Sequence, residues 1–499
     1  MRLALHFCVL FVLLGSAAVM AEDSQMQKPN VIFILADDLG YGDLGCFGQT
    51  NFATPRLDRM AAEGMKLTQH YAGSTVCAPS RACLLTGMHT GHVYNRANGD
   101  RNAFRNDPDD ICIATLLKQA GYTTAMIGKS GLACGSKDLK LPNNKGFDHF
   151  FGYLTHKGAH RYYPKQLYRN GEVVKYPENQ GREGQTYSGD LFTEDALKFL
   201  EANKDQPFFL HLSLQQPHAD LQVPTDWREK FLGKYEEKPH KGGFYRPEAN
   251  PKATFAGMVT YLDDAVGQVF DKLNSLGIDE NTLVIFSSDN GAMSEGGWSR
   301  HNFDSSGKLR GGKRDLYEGG IRVPTIVRWP GKVAAGSSSD HISAFWDFVP
   351  TVCELVGINP PLATDGISYL PTILGQGEQA QHDYLYWEFH EQGGKQAVRK
   401  GKWKAVRKTV NKNRNSPIEL FDLEADLHED KNIAATNPKI VAEMKALMRD
   451  AHDGMGIVDF AKPESVGVRK LLRGKDLSDW KKTNFGGEGE VSLEKGILN

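Results

Sequence analysis

Near its start the chain reads Asn30-Val31-Ile32-Phe33-Ile34-Leu35-Ala36-Asp37-Asp38, an apolar run that ends in two carboxylates. A strand that is buried on both faces is continuously apolar rather than alternating, so this run predicts a central strand of a parallel sheet. Similar runs stand at residues 123–127, 208–214 and 282–286, and helical patterns lie between them. Alternating strands and helices predict an α/β fold, with a large domain whose mainly parallel central sheet is flanked by helices.

Polar side chains follow four of these predicted strands, at the point where each strand ends. They are Asp37, Lys129, His218 and Asp289. In open parallel sheets, ligands bind beyond the carboxyl ends of the strands. We therefore expect four distant segments of the chain to bring their polar groups to one edge of the sheet.

The sequence changes in character after about residue 374. Three short segments, at residues 384–389, 397–399 and 403–406, favour antiparallel strands; residues 419–423 precede an acidic turn, and a helix is predicted from Pro438 to about Ala451. This pattern predicts a smaller C-terminal subdomain with an antiparallel sheet and a helix. The expected organisation is a signal peptide over 1–21, a large α/β domain over 22–375, the C-terminal subdomain over 376–465 and a tail over 466–499.

The first 21 residues have the composition of a secretory signal. Arg2 gives a positive start, an apolar run extends from Leu3 to Leu14, and Val19-Met20-Ala21 offers a small-residue cleavage site. A membrane anchor needs about 20 apolar residues, and this run is shorter. We expect export to the periplasm or secretion to the medium. The six cysteines that remain are too sparse for a disulfide-built scaffold, although one or two disulfides stay open.

Composition excludes several classes of protein. The chain has 40% hydrophobic residues, which is typical of a folded globular protein and not of a disordered one. Its 59 Lys and Arg residues against 61 Asp and Glu residues give a formal charge of −2. No overall basic field therefore attracts nucleic acid or an anionic membrane surface, and we expect neither a nucleic-acid partner nor a membrane span. An anionic substrate has to be captured by a local site.

The stretch with the most chemical information is Cys77-Ala78-Pro79-Ser80-Arg81-Ala82-Cys83-Leu84-Leu85-Thr86-Gly87. It resembles, at every defined position, the signature C-x-P-S-R-x-x-L-x-T-G of the formylglycine-dependent sulfatases, an arylsulfatase-like family of the alkaline-phosphatase superfamily. The resemblance runs in order over roughly the first 460 residues. It implies a sulfuric ester hydrolase with the alkaline-phosphatase-like fold.

The same resemblance implies that Cys77 is converted to formylglycine by a formylglycine-generating enzyme. A sulfate ester repels anionic nucleophiles, so its hydrolysis needs both charge neutralisation and an activated oxygen. The hydrated aldehyde supplies two hydroxyls. One attacks sulfur to give a covalent sulfated intermediate, and deprotonation of the other expels sulfate. Arg81, one turn along a helix that begins near Pro79, is expected to hydrogen-bond this nucleophile.

Two adjacent pairs of residues offer oxygen ligands for a divalent cation. Asp37-Asp38 and Asp289-Asn290 each follow a predicted strand, and hard oxygen donors suit Ca²⁺ or Mg²⁺. Taken alone, an Asp-Asp pair at a strand end is also typical of a turn or a helix cap. The resemblance implies that both pairs are metal ligands, with Ca²⁺ in first place, and that the oxygen of converted Cys77 completes the coordination sphere.

Cationic residues are expected on the other side of the site. Gly128-Lys129 and the stretch around Lys313 resemble the two sulfate-binding lysine motifs of the family, and Lys313 could also protonate the departing oxygen. His218, in Gln216-Pro217-His218, resembles the element that carries a family substrate or acid histidine. Imidazole is a natural general acid near neutral pH.

The chain departs from the family pattern at one position. Many sulfatases carry Gly-Lys-x-His-Leu-Gly, whereas this chain reads Gly128-Lys129-Ser130-Gly131-Leu132-Ala133. Gly131 has no side chain that could transfer a proton or orient the diol. We expect a histidine from another loop to take this place, with His160 as the first choice. His156 and His301 are weaker candidates near the edge of the site.

Export and aromatic loop residues such as Tyr162-Tyr163 favour a sulfated carbohydrate over an aryl sulfate as the substrate. The tail over 466–499, which contains Asp479-Trp480, resembles the opening of a sugar-active β-domain and points the same way. Two alternatives stay open. One is a phosphonate monoester hydrolase or phosphodiesterase, because the diol, the metal and the lysines also suit phosphate. The other is a catalytically silent protein that binds sulfated glycans.

Overall fold

The computed structural model describes residues 28–98, 111–132, 138–180 and 184–452, together with a short ladder between residues 493–494 and 497–498. The predicted signal peptide lies outside the described residues, and so does the predicted tail apart from that ladder. The boundaries expected for the four segments of the chain stay predictions.

The helices and strands follow one another along the chain much as the sequence predicts. The strands are β1 (Asn30–Asp37), β2 (Met65–Leu67), β3 (His70–Tyr71), β4 (Thr123–Lys129), β5 (His149–Tyr153), β6 (Gln166–Arg169), β7 (Glu172–Lys175), β8 (Phe208–Pro217), β9 (Thr282–Ser288), β10 (Thr325–Arg328), β11 (Ser337–Ser339), β12 (Ser343–Ala344), β13 (Leu385–Phe389), β14 (Lys395–Lys400), β15 (Trp403–Lys408), β16 (Ile418–Asp422), β17 (Leu493–Glu494) and β18 (Ile497–Leu498). The α-helices are α1 (Pro55–Glu63), α2 (Cys77–Thr86), α3 (Ile113–Gln119), α4 (Leu141–Asn144), α5 (Ser188–Ala202), α6 (Thr225–Glu229), α7 (Pro251–Leu276), α8 (Glu318–Ile321), α9 (Phe348–Val356), α10 (Leu370–Leu374) and α11 (Pro438–Asp450).

The central feature is a ten-stranded sheet in the order β11-β2-β10-β9-β1-β8-β4-β5-β6-β7. The five middle strands, from β9 to β5, pair in parallel, and β10, β6 and β7 join antiparallel towards the edges. Alternate residues of β1 enter two separate apolar cores, one on each face of the sheet. The predicted α/β architecture with a mainly parallel sheet is confirmed.

Several elements begin or end a few residues away from the prediction. The strands β4, β8 and β9 run on to Lys129, Pro217 and Ser288, so the polar residues of interest stand at their last residue or just beyond it. Helix α2 begins at Cys77, whereas the sequence suggested a start near Pro79. Helix α7 begins at Pro251, because proline lacks the N–H that the first helical position leaves unused.

The three predicted C-terminal strands and a fourth, β16, form a separate antiparallel sheet in the order β13-β14-β15-β16, and helix α11 packs against it. Buried ionic contacts join this sheet to the large domain. Lys404 on β15 donates to Glu318 Oε1 on α8 at 2.8 Å, and Glu429 Oε2 accepts the backbone N–H of Glu318 at 2.7 Å. Burial raises the pKa of Glu429 to about 8, and Lys404 only partly opposes this shift.

The five described cysteines, Cys46, Cys77, Cys83, Cys112 and Cys353, are free thiols. Cys134 lies outside the described residues. Among the described helices, none combines the length and the apolar character that a bilayer crossing requires.

Candidate active site

The ends of four neighbouring parallel strands bring polar side chains together, as the sequence predicts. Asp37 is the last residue of β1, Lys129 is the last residue of β4, His218 follows β8 and Asp289 follows β9. Asp38 adopts a left-handed conformation with φ of 66°, and its backbone N–H donates to Asp289 Oδ1 at 3.1 Å. All of these side chains are buried, so their charges are compensated by each other and not by water.

Helix α2 carries Cys77 into this cluster as its first residue. The signature serine, Ser80, accepts a hydrogen bond from the backbone N–H of Gly73 at 3.0 Å, which fixes the chain that leads into the helix. Asn98 Oδ1 accepts the free N–H of Ala78 in the first turn at 3.1 Å and lies 3.6 Å from Cys77 Sγ. The signature sequence thus presents residue 77 on a rigid helix start, facing the strand ends.

Arg81 lies one turn along α2, and its guanidinium binds Asp289 and the chain end of β4. Its Nε and Nη2 atoms donate to Asp289 Oδ2 at 2.9 and 2.7 Å, and Nη1 donates to the backbone carbonyl of Lys129 at 3.0 Å. Nη1 also contacts Ser213 Oγ. A carboxylate and a carbonyl oxygen are stronger acceptors than the Cys77 thiol, and the expected hydrogen bond to the converted side chain at position 77 stays a prediction. Arg81 therefore fixes Asp289.

The two lysines bind the two adjacent aspartates. Lys129 Nζ donates to Asp37 Oδ2 at 2.6 Å, and Lys313 Nζ donates to Asp38 Oδ2 at 2.6 Å and to Glu295 Oε2 at 3.1 Å. Burial works against a charged Lys313, but Asp38 and Glu295 hold its pKa well above the ordinary value. Both lysines are therefore ammonium ions at neutral pH and present positive charge beside residue 77.

His218 lies next to Lys313 in the same cluster of polar side chains. Its Nδ1 donates to the carbonyl of Ala219, and its Nε2 lies 3.2 Å from Lys313 Nζ and 3.3 Å from Asp38 Oδ2. Burial lowers the pKa of His218 to about 4, although Asp38 opposes the shift. The imidazole is thus neutral here, with Nε2 as an acceptor for the lysine ammonium.

The arrangement of oxygen atoms fits a divalent cation. Oxygens of Asp37 and Asp289 lie with Cys77 Sγ within 4.8 Å of one another. Asp37 Oδ1 and Asn290 Oδ1 are buried and accept no hydrogen bond from the described part of the chain. Burial and the neighbouring Asp37 carboxylate raise the pKa of Asp289, although Arg81 opposes this. Buried, incompletely compensated oxygen donors are the ligand set that Ca²⁺ and Mg²⁺ prefer.

The histidine beside Cys77 is not the one favoured by the sequence. His156 Nδ1 lies 3.4 Å from Cys77 Sγ. The first choice, His160, instead packs its ring on His218 with 4.6 Å between ring centroids. His301 stands exposed on a separate loop, outside the cluster. Burial, with Lys129 next in effect, lowers the pKa of His156 well below its ordinary value, so its imidazole is neutral.

An aromatic rim leads outward from His218. The ring of His160 lies between those of His218 and Tyr245, and Tyr245 donates to Glu295 Oε2 at 2.8 Å. Phe244 packs edge-on against Tyr245, with 5.0 Å between the ring centroids, and is 74% exposed. Neither Phe244 nor Glu295 is singled out by the sequence, because neither follows a predicted strand directly. Asn98 is missed for the same reason.

Comparisons with known proteins agree with this geometry. The family described as Sulfatase matches residues 29–358, and the one described as N-sulphoglucosamine sulphohydrolase, C-terminal matches residues 311–453. N-acetylgalactosamine-6-sulfatase of Mus musculus is 34% identical over 76% of this chain and 72% of its own length. Human arylsulfatase A is 31% identical over 90% of this chain and 87% of its own length.

A relative from Bacteroides thetaiotaomicron, N-acetylgalactosamine-6-O-sulfatase, is 30% identical over 85% of this chain and 93% of its own length. Among solved structures, Ps i-CgsB in complex with k-i-k-neocarrahexaose superposes with a TM-score of 0.72 and 29% identity, covering 88% of this chain and 94% of that one. The matched region contains the helix start at Cys77 and the strand ends that face it. The chain therefore belongs to the sulfatase family and is a sulfuric ester hydrolase of the alkaline-phosphatase-like fold.

Proposed function

We propose that this chain hydrolyses sulfate esters of carbohydrates with a formylglycine at position 77 and a divalent cation, Ca²⁺ in first place and Mg²⁺ as the alternative. Asp37, Asp38, Asp289 and Asn290 would hold the cation together with residue 77. The observation that carries the proposal is that Cys77 Sγ and carboxylate oxygens of Asp37 and Asp289 lie within 4.8 Å of one another at the ends of separate elements.

Conversion of Cys77 is supported by the state of its thiol. Burial raises the pKa of the Cys77 thiol, so the unconverted side chain is neutral at pH 7, and a neutral thiol is a poor nucleophile. Formylglycine supplies a hydrated aldehyde, one hydroxyl of which attacks sulfur while the other allows sulfate to leave. The expected partner in maturation is a formylglycine-generating enzyme.

The cation would neutralise charge on the sulfate group and on the nucleophile. Lys129 and Lys313, each bound to one aspartate of the ligand set, face the same space and would bind the remaining sulfate oxygens. Lys313 and His218 are in contact at 3.2 Å, so a proton held by this pair can pass to the departing sugar oxygen. Arg81 keeps Asp289 in place during this chemistry.

The carbohydrate substrate is supported by relatives and by the rim. The mouse and bacterial relatives are named as N-acetylgalactosamine-6-sulfatases, and the structure of Ps i-CgsB contains k-i-k-neocarrahexaose. In this chain, the exposed ring of Phe244 adjoins Tyr245 and His160 just outside the Lys313 and His218 pair. An aromatic face next to polar groups is suited to a sugar ring that carries the sulfate.

The first experiment follows the conversion of residue 77 and the activity together. The chain is produced with and without a formylglycine-generating enzyme, and the peptide that contains residue 77 is examined by mass spectrometry. We expect turnover of sulfated saccharides and of 4-nitrophenyl sulfate only in proportion to the converted fraction. Cys77→Ala should abolish turnover, while Cys83→Ala, a buried cysteine of the same helix, should retain it. Turnover by the unconverted protein would contradict the proposal.

Metal and substrate class are tested on the converted protein. Dialysis against a chelator should remove activity and lower the melting temperature, and Ca²⁺ should restore both more fully than Mg²⁺. If the protein hydrolyses an aryl phosphodiester faster than an aryl sulfate, the proposed function is replaced by that of a phosphodiesterase.

We further propose export to the periplasm or the medium, from the predicted signal peptide over 1–21. Cell fractionation tests this.

A further inference from the structure

The loop after β5 places an imidazole directly against residue 77. His156 Nδ1 lies 3.4 Å from Cys77 Sγ. The other ring nitrogen, Nε2, is buried and has no hydrogen-bond partner in the described part of the chain. Residue 77 is therefore the polar partner of this imidazole in the described structure. A buried histidine with a purely structural role normally satisfies its ring nitrogens elsewhere.

The position of this loop is fixed by the strand that carries Lys129. The backbone N–H of Ser130 donates to the carbonyl of Tyr153 at 3.0 Å, and Ser130 Oγ donates to the carbonyl of Leu154 at 3.1 Å. These bonds continue the parallel pairing of β4 with β5 past the ends of both strands. His156 is thus held two residues beyond Leu154, the last residue that these bonds fix, and not on a freely moving segment.

In the neighbouring loop, position 131 has no room for a side chain while Arg81 stays where it is. Gly131 has φ of +71°, and a Cβ atom added there would stand 2.5 Å from Arg81 Cδ. That arginine is itself held by Asp289 and by the Lys129 carbonyl. Within the described residues, an imidazole reaches Cys77 from the β5 side.

We infer that His156 is the hydrogen-bond partner that orients the side chain of residue 77 for its attack on sulfur. The inference rests on the proposed function, since it concerns the converted side chain at position 77. The imidazole has one N–H donor and one lone pair when neutral, so it can bind a hydroxyl of the hydrated aldehyde through Nδ1. Misplacement of a reacting group by about 1 Å costs roughly 100-fold in rate, and this sets the expected effect.

The test compares two substitutions that keep bulk and differ in hydrogen bonding. His156→Leu keeps an apolar side chain in the space, and His156→Gln keeps a polar one. His428→Leu, at an exposed histidine whose Nδ1 lies against Asp430, is the matched control. Mass spectrometry of the residue 77 peptide first establishes equal conversion in all four proteins. We then measure kcat and KM on 4-nitrophenyl sulfate and the rate of oxime formation between residue 77 and an alkoxyamine.

We expect His156→Leu to lower kcat about 100-fold with KM within about twofold, and to raise the rate of oxime formation, because the hydrate loses its hydrogen bond. His156→Gln should recover a large part of both. Unchanged kcat in His156→Leu, or equal losses in the Leu and Gln variants, would overturn the inference and leave the proposed function standing. An unconverted Cys77 in an active wild-type protein would overturn both.

Discussion

Substitution of Gly131 by alanine tests whether the room left by this glycine is what keeps Arg81 in place. The backbone at Gly131 is left-handed, with φ of +71°. The new Cβ would stand 2.5 Å from Arg81 Cδ, whereas ordinary van der Waals contact begins at 3.4 Å. Arg81 Cδ must therefore retreat by about 0.9 Å or the loop must shift by the same amount.

The expected loss in the free energy of unfolding has two parts. A left-handed conformation costs an L-residue about 1–2 kcal/mol. Moving Arg81 stretches bonds of 2.7 and 2.9 Å to Asp289 and of 3.0 Å to the Lys129 carbonyl. A lost hydrogen bond to a charged group costs about 1.5–3 kcal/mol. We expect Gly131→Ala to lower the free energy of unfolding by about 2.5–5 kcal/mol and to lower kcat by at least tenfold, because Asp289 loses the hydrogen bonds that hold it.

The matched control is Gly121→Ala. Gly121 has φ of +84°, and no atom of the described chain lies within 4 Å of the Cβ that alanine would add. Gly121→Ala therefore has the conformational cost of a left-handed alanine without a steric clash. Thermal unfolding and kcat are measured for both variants after equal conversion of residue 77 is established. If Gly131→Ala loses no more stability than Gly121→Ala and keeps wild-type kcat, the reasoning about Arg81 is refuted.

Three further substitutions have distinct expected outcomes. His218→Gln should lower kcat about 100-fold on a sulfated sugar but less than tenfold on 4-nitrophenyl sulfate, whose leaving group needs no proton; equal losses would contradict proton donation by the Lys313 and His218 pair. Phe244→Ala should raise KM about fivefold for a sulfated disaccharide and leave KM for 4-nitrophenyl sulfate unchanged, and a common change in both would exclude a sugar contact. Glu429 has a pKa raised by burial from 4.5 to about 8, so the folded state binds its proton more tightly and wild-type stability falls as pH rises between these values. Glu429→Gln should therefore melt at a higher temperature than wild type at pH 9 and at a similar temperature at pH 5; an equal difference at both pH values would refute this.

The fold was predictable because its central strands are buried on both faces. Burial on both faces leaves a continuous apolar run with a polar stop, and that pattern located β1 and β9 to within two residues. The start of α2 was misplaced by two residues, since Val76 supplies no side-chain cap that would mark it. Short edge strands such as β2 and β11 carry no comparable pattern, so their place in the sheet depends on tertiary pairing.

The same distinction separates the site residues that could be predicted from those that could not. Asp37, Lys129 and Asp289 stand at or directly after strands, and parallel strands end at one edge of the sheet. Their convergence follows from topology alone. Asn98 and Glu295 reach the site from loops, and the path of a loop is set by contacts between residues far apart in sequence. Glu295, for example, is held by Lys313, which lies 18 residues further along the chain.

The sequence favours His160 as the histidine next to residue 77, but the structure places His156 there, and local hydrogen bonds explain the difference. Both histidines follow β5, and their order along the chain does not indicate which one faces residue 77. The choice depends on the two bonds that Ser130 makes to the carbonyls of Tyr153 and Leu154, which turn the first part of the loop towards Cys77. Next to Ser130, the missing side chain of Gly131 leaves the space that Arg81 fills. Gly131 after β4 and His156 after β5 thus belong to one arrangement. The glycine leaves room for the side chain of Arg81, and the adjacent strand supplies the histidine that contacts residue 77.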